Sequence, residues 1–355
     1  ITLTQTLIGT ALDIEGNIDV NADLDVNGTS NLDVVDIDGA VDMASTLTLA
    51  GNADFNGNLD VDGTTDLDGL TVAGNLSVNG GTIKLDGNFP TGDRNTALGD
   101  TAGDSLTNGS DNVFIGHNTG TATTEGEDNT VVGSLAFDAN ITGSENTALG
   151  FGSLSANTTA ANNVAVGATA LLTNITGANN IAVGRRALFS NTTASNNTAI
   201  GNQALLSNTT GTQNTAIGAL AGDAITTADE NVTVGYNSLT TNTKSFYNVA
   251  VGNSALAVHN LTSDAAGYNT GIGHNAGAAV TTGINNTLLG ALAGDALTDA
   301  DYNVVLGAYA LTGDTLGSKS TAIGYAALQT QNFTSATDSF NTAVGAYAGV
   351  AVTTG

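Results

Sequence analysis

The hydrophobic and polar positions of this chain run through a short cycle that repeats. Residues 197–213, NTAIGNQALLSNTTGTQ, are followed at once by NTAIGALAGDAITTADE, which opens on the same five letters. The unit Asn-x-x-[Ile/Leu/Val]-Gly begins at Asn95, Asn112, Asn129, Asn146, Asn163, Asn180, Asn197, Asn214, Asn231 and Asn248, at a constant 17-residue step. It resumes at Asn269, Asn286, Asn303, Ser320 and Asn341, giving 15 units in all. Only the steps from Asn248 to Asn269 and from Ser320 to Asn341 are longer, each by four positions. With the Asn as position 1, position 2 is always β-branched, position 4 always Ile, Leu or Val, and position 5 always Gly. β-branched residues suit a pleated strand, and a glycine at a fixed place marks a tight bend. Position 3 points to the opposite face and is Ala in nine of the 15 units. This pattern predicts a very short strand, apolar or small on both faces and so buried on both sides. Position 8 is small throughout, and the tails are rich in Asn, Thr and Gly, as turns are.

A fixed period of this length predicts an all-β solenoid in which each 17-residue unit is one coil. Two helices and a turn do not fit into so short a period, and the spaced leucines of a leucine-rich repeat are missing. The recurring Asn residues, from Asn95 through Asn303 and again at Asn341, are expected to stack as a ladder whose amides bond to the coils above and below. One coil buries too little to stand alone. The doubly apolar strand therefore points to neighbouring copies, and a homotrimer packed around that strand is expected.

Residues 1–88 follow a different rhythm. Apolar pairs two apart recur about every six residues, as in Leu12/Ile14, Ile18/Val20, Leu24/Val26 and Leu59/Val61. Alternation of this kind is strand-like, and Asn-Gly, Asp-Gly and Gly-Asn supply the bends. Such short strands do not make stable hairpins alone, so a fibrous shaft of three intertwined chains is expected. Residues 89–94, with the single proline Pro90, form the expected junction, and 95–355 the repeat region. The unit at Asn341 stops two positions short of a full period, so the solenoid is expected to continue past Gly355.

NTAIG, NVAVG and NIAVG resemble the repeats of YadA-like trimeric adhesin heads, which are left-handed parallel β-rolls wound as trimers. The 17-residue spelling is more similar to repeats of bacteriophage tail-fibre proteins, some of which end in a self-cleaving intramolecular chaperone. The resemblance covers residues 95–355. It implies a virion appendage or, as the alternative, a bacterial surface adhesin or extracellular filament. The six-residue pattern of residues 1–88 resembles the shafts of phage tail spikes and fibres, which favours the virion reading.

Charge narrows the partners. With 33 acidic and 6 basic residues among 355, the formal charge is -27, which repels nucleic acid and anionic membranes. No apolar run approaches the roughly 20 residues of a membrane helix, so no membrane insertion is expected. The chain has no cysteine, hence no disulfide or thiolate metal site.

Candidate chemistry is sparse. Carboxylates two apart (Asp23/Asp25, Asp36/Asp38, Asp60/Asp62, Asp66/Asp68) share a strand face. They fit a solvated outer surface, with Ca²⁺ coordination or a glycosidase pair as the functional alternatives. His117 and His274 both follow the position-5 glycine, at a place that varies freely elsewhere. The Asn-Thr-Thr triplets at Asn157, Asn191 and Asn208 read as turn composition. A fibre-borne polysaccharide depolymerase would need a wide groove with clustered carboxylates, so no enzymatic activity, catalytic residue, cofactor or metal is expected.

The two long coils carry matching extra segments, HNLTSDAAGY (259–268) and QNFTSATDSF (331–340). Insertions in a solenoid are expected to bulge outward. His259, Asn260 and Tyr268, with Gln331, Asn332, Phe333 and Phe340, are therefore the candidate contacts to a host-surface glycan or protein, with threefold multiplicity raising avidity.

Overall fold

The computed structural model describes residues 87–89 and 92–354. The six-residue pattern and its carboxylate pairs, and with them the shaft and its Ca²⁺ alternative, lie outside the described residues.

The described part is all-β. Strand β1 (Gly87–Phe89) pairs antiparallel with β2 (Gly92–Leu98), so residues 92–94 of the expected junction already belong to the strand that opens the first coil. From β2 onward, 15 strands stack in parallel, each formed by positions 2–4 of one unit. The register is one period per rung: Thr198 faces Thr215, and Ala199 faces Ala216. At the long coils the step widens, so that Val249 faces Thr270 and Thr321 faces Thr342. The chain is thus a parallel β-solenoid of about 15 turns with a 17-residue period.

Hydrogen bonding runs mainly between coils, with short turn bonds such as Ala204 to Gly201 inside each coil. The Thr198 amide donates to the Asn214 carbonyl at 2.8 Å, and the Gly201 amide donates back to Val183 at 2.7 Å. Position 5 must be glycine in this stack. Gly218 has φ +136°, and a Cβ there would lie 2.6 Å from the Gly235 carbonyl oxygen of the next coil.

The core sits inside the coil and is built by an exchange of volume between neighbours. Position 3 points inward and is buried in every coil from Phe114 to Ala343. Position 9, in left-handed conformation, fills the space beside position 3 of the following coil. Where position 9 is Leu (Leu188, Leu205, Leu239), the next position 3 is Ala, or Gly271 after Leu256. Where it is Gly (Gly103, Gly120, Gly222, Gly277, Gly294), the next position 3 is larger: Phe114, Val131, Thr233, Leu288, Val305. A Cβ on Gly103 would lie 3.0 Å from the Phe114 ring, and one on Gly277 2.5 Å from Leu288. Close packing tolerates neither a double filling nor a double vacancy.

Candidate functional site

The position-1 ladder is continuous through the coil stack. Each position-1 amide from Asn112 to Ser320 donates to the side-chain Oδ1 of the previous ladder Asn. Asn180 is representative. Its Nδ2 donates to Asn163 Oδ1 at 3.2 Å and to the Ala194 carbonyl at 2.9 Å, so the buried amide is satisfied from both sides. Ser320 ends the side-chain stack. Asn341 instead donates to Gln331 Oε1 at 2.8 Å, while Gln331 Nε2 donates to Ser320 Oγ at 2.9 Å.

A second ladder stands at position 12. Asn157, Asn174, Asn191 and Asn208 each donate from Nδ2 to the Oδ1 of the Asn one coil earlier, at 2.8–3.1 Å. All are buried, so the Asn-Thr-Thr triplets are ladder rungs rather than mere turn composition. The signal was present in the sequence as an Asn at a fixed distance after each ladder Asn over these coils. Ile225 interrupts the row, which leaves Asn208 Oδ1 buried without a partner.

This second row corrects part of the expected contact set. His259 and Gln331 occupy position 12 of the two long coils and are fully buried, and Phe333 is 8% exposed. His259 and Gln331 are interior rungs, and none of the three is available to a host surface. The outward bulge is confined by short parallel pairs, Ser245–Phe246 with Ala265–Ala266 and Gly317–Ser318 with Thr337–Asp338. Asn260 is half-buried, and its Oδ1 accepts from the Thr243 amide and hydroxyl. Asn332, Tyr268 and Phe340 are exposed.

His259 Nε2 lies 2.9 Å from Ser245 Oγ, which also accepts from Asn248 Nδ2 at 3.0 Å. Asn269 Nδ2, which can only donate, lies 3.5 Å from Nε2, which makes Nε2 the acceptor and the Ser245 hydroxyl the donor. Nδ1 has no partner in hydrogen-bond geometry. Burial pushes the imidazole down to about 4, and the nearby Thr281 carbonyl offsets only part of this. Asp314 is also buried, with Oδ1 accepting from the Gly317 and Phe333 amides at 3.0 Å each and Oδ2 from Gln331 at 2.7 Å. Both polar groups serve the interior of the long coils.

The expectation of a strand buried on both sides holds for one face of the single chain. Position 3 is interior, whereas positions 2 and 4 face outward. Leu149, Ile200, Ile217 and Leu306 at position 4 are each 39–43% exposed, and Ile181, Val232 and Val304 at position 2 are comparable. No charged residue occupies position 2 or 4 in any of the 15 coils. At the usual strand spacing this uncharged ridge is roughly 70 Å long.

Aromatic rings flank the ridge in the later coils, a feature not drawn from the sequence pattern. Positions 6 and 7, just past the strand, hold Tyr309, Tyr325 and Tyr347, whose rings meet edge to face at centroid distances of 5.7 and 5.3 Å. Position 17, just before the next strand, holds Tyr247 and Tyr302; Tyr268 and Phe340 end the long coils at the corresponding place. Tyr247 and Tyr268 stack at 5.3 Å, and Lys319 Nζ sits 5.2 Å from the Phe340 ring centre. In the early coils position 17 is instead acidic: Asp111, Asp128, Glu145. His117 is exposed, 4.0 Å from Asp100, and His274 stands on the same margin. Among the described residues no group of three or more His, Cys, Asp or Glu is placed to hold a metal ion, and no helix is long and apolar enough to cross a membrane.

No protein-family model matches the chain, and no curated protein matches it in sequence.

Proposed function

We propose that this chain is a structural subunit of a homotrimeric extracellular fibre, a phage tail fibre that spans a distance and presents a host-recognition surface. One observation carries the reading: the uncharged, half-exposed Ile/Leu/Val ridge along every coil. Soluble monomers seldom expose a contiguous apolar patch of more than a few hundred Å². On a chain of charge -27, a face without charge is also one where copies approach without like-charge repulsion. A left-handed wind and the threefold packing follow from the resemblance to YadA-like heads, and the shaft-like pattern of residues 1–88 favours a virion over a bacterial adhesin. The fibre has no catalytic role in this reading, and the exposed Asn332, Tyr268 and Phe340 remain candidates for contact with a host glycan or protein.

Light scattering on the purified chain tests the assembly. Three chains of 35.0 kDa give 3 × 35.0, or 105 kDa. The paired change Ile200→Asp and Ile217→Asp, on the ridge but outside the core, should lower the mass toward one chain while the strand spectrum persists. A folded wild-type chain of single mass overturns the proposal.

A further inference from the structure

We infer that the aromatic margins of the later coils set the axial register in which copies of this chain associate, an inference that rests on the assembly proposed above. A repeating ridge has a built-in ambiguity. Positions 2 and 4 carry the same residue types in every coil, so two copies displaced by one coil would keep 14 of the 15 rungs in contact. Repeating interfaces need a non-repeating feature to choose one alignment.

The margins provide it. Along positions 6 and 7 the tyrosines alternate: Tyr309 at position 7, Tyr325 at position 6, Tyr347 at position 7. The coils on either side of Tyr325 have Ala308 and Ala346 at position 6, and its own position 7 is Ala326. With copies aligned, rings at one level meet like rings. A displacement of one coil sets each position-6 ring against an alanine and breaks the match at both ends. The earlier coils choose far less sharply. Their margins are mostly small or polar, as at Ala168, Asn202 and Ala219, and Phe151 and Tyr236 stand there as single rings.

Charge acts in the same direction. Position 17 carries acids at Asp128, Glu145 and Glu230, with Asp111 paired to Arg94, so copies repel along the earlier coils, whereas from Tyr247 onward that column holds aromatics, Asn285 and Lys319, the last paired to Asp338. The kind of partner that fits is therefore a second copy of this chain, gripped first at its later coils. Aromatic residues are the usual dominant contributors in such contacts.

The chain has no cysteine, which makes register directly measurable. Chains carrying Ile200→Cys and chains carrying Ile217→Cys are co-expressed and mildly oxidised, so that only thiols whose Cβ atoms come within about 4.5 Å join, less than the rise of one coil. Aligned copies link 200 to 200 and 217 to 217, while a one-coil displacement links 200 to 217. With all tyrosines present, the mixed link should stay at background. With Tyr309→Asn, Tyr325→Asn and Tyr347→Asn added, it should rise at least about tenfold at unchanged assembly mass, as expected once about 1.4 kcal/mol of discrimination is lost. Unchanged alignment in the variant overturns the inference and leaves the rings to another partner, with the trimeric reading intact. Dissociation of the variant overturns it too, since the rings would then supply the association itself. A wild-type monomer removes both. Should the triple change cost the fold, Tyr325→Asn, whose ring touches the other two, is scored in the same assay.

Discussion

Asparagine is the residue that makes a narrow coil closable. Its amide offers donor and acceptor together on one short arm, so a buried rung bonds to the rung before it and to its own coil's carbonyl at once, as Asn180 does. Where a rung is something else, the consequence is visible: Ile225 strands Asn208 Oδ1, and His259 leaves its own Nδ1 unpartnered. The histidine gives a pH prediction. Its pKa is lowered by burial to about 4 from 6.5, so the folded state takes up its proton later than the unfolded state does. Its contribution is therefore constant above about pH 6.5 and falls as pH drops toward 4, by about 3 kcal/mol in total. Asp223 and Asp295 are pushed up by burial and act in the opposite sense, gaining on acidification. Comparison with His259→Asn isolates the imidazole: denaturant unfolding at pH 7 and pH 4.5 should show a steeper acid loss for the wild type. Parallel losses would assign the acid sensitivity elsewhere.

At the scale of the element, a coil is defined as much by what its neighbour leaves empty as by its own residues. Gly277 and Leu288 are one such pair, the leucine occupying the volume a side chain at 277 would take. Leu288→Ala alone should cost about 2–5 kcal/mol through the cavity. Gly277→Leu alone should cost a similar amount through overpacking. Together they restore the Leu-then-Ala order of Leu188 and Ala199 beside Val280 in place of Asn191, so the double variant should recover part of the loss. Chemical denaturation of the four proteins of this cycle measures the coupling, and simple additivity would show that the two side chains do not share a space. The left-handed backbone at position 9 is no obstacle, since Leu188 holds φ 49° at the same place.

For the whole molecule, coils contact their sequence neighbours and stability is built from repeat and nearest-neighbour contributions. Removing residues 197–213, one complete coil, joins Leu188 to Ala216 across the new boundary, a permitted Leu-then-Ala contact. The shortened rod should fold with unchanged strand content and keep its melting temperature within a few degrees. Removing 198–206 instead leaves an eight-residue remnant, Asn197 with residues 207–213, which has no strand positions 2–4 and is too short to close a turn. That protein should lose cooperative melting by circular dichroism. Equal behaviour of the two deletions would show that the complete coil is not the unit that holds the stack.

The period, the short strands, the obligatory glycine and the first ladder were all legible in the sequence, because each recurs at the same position and a repeat exposes its own constraints. Position 12 was harder to read. Asn, Thr, His, Asp, Gln and aliphatic residues share it, and only the coil geometry shows that they occupy one column. The same geometry moved His259, Gln331 and Phe333 from the surface to the interior, since sequence marks where residues are added but not which of them fill the coil before the bulge begins. Which strand face turns inward was likewise a tertiary matter. Ala at position 3 and Ile or Val at position 4 are both apolar; position 3 faces in throughout, and the room left by position 9 of the neighbouring coil sets its size, Ala199 after Leu188 but Leu288 after Gly277. The sequence by itself determined the repeat and its rungs; the stacking of coils decided the rest, because burial in a solenoid is a property of two adjacent coils and never of one.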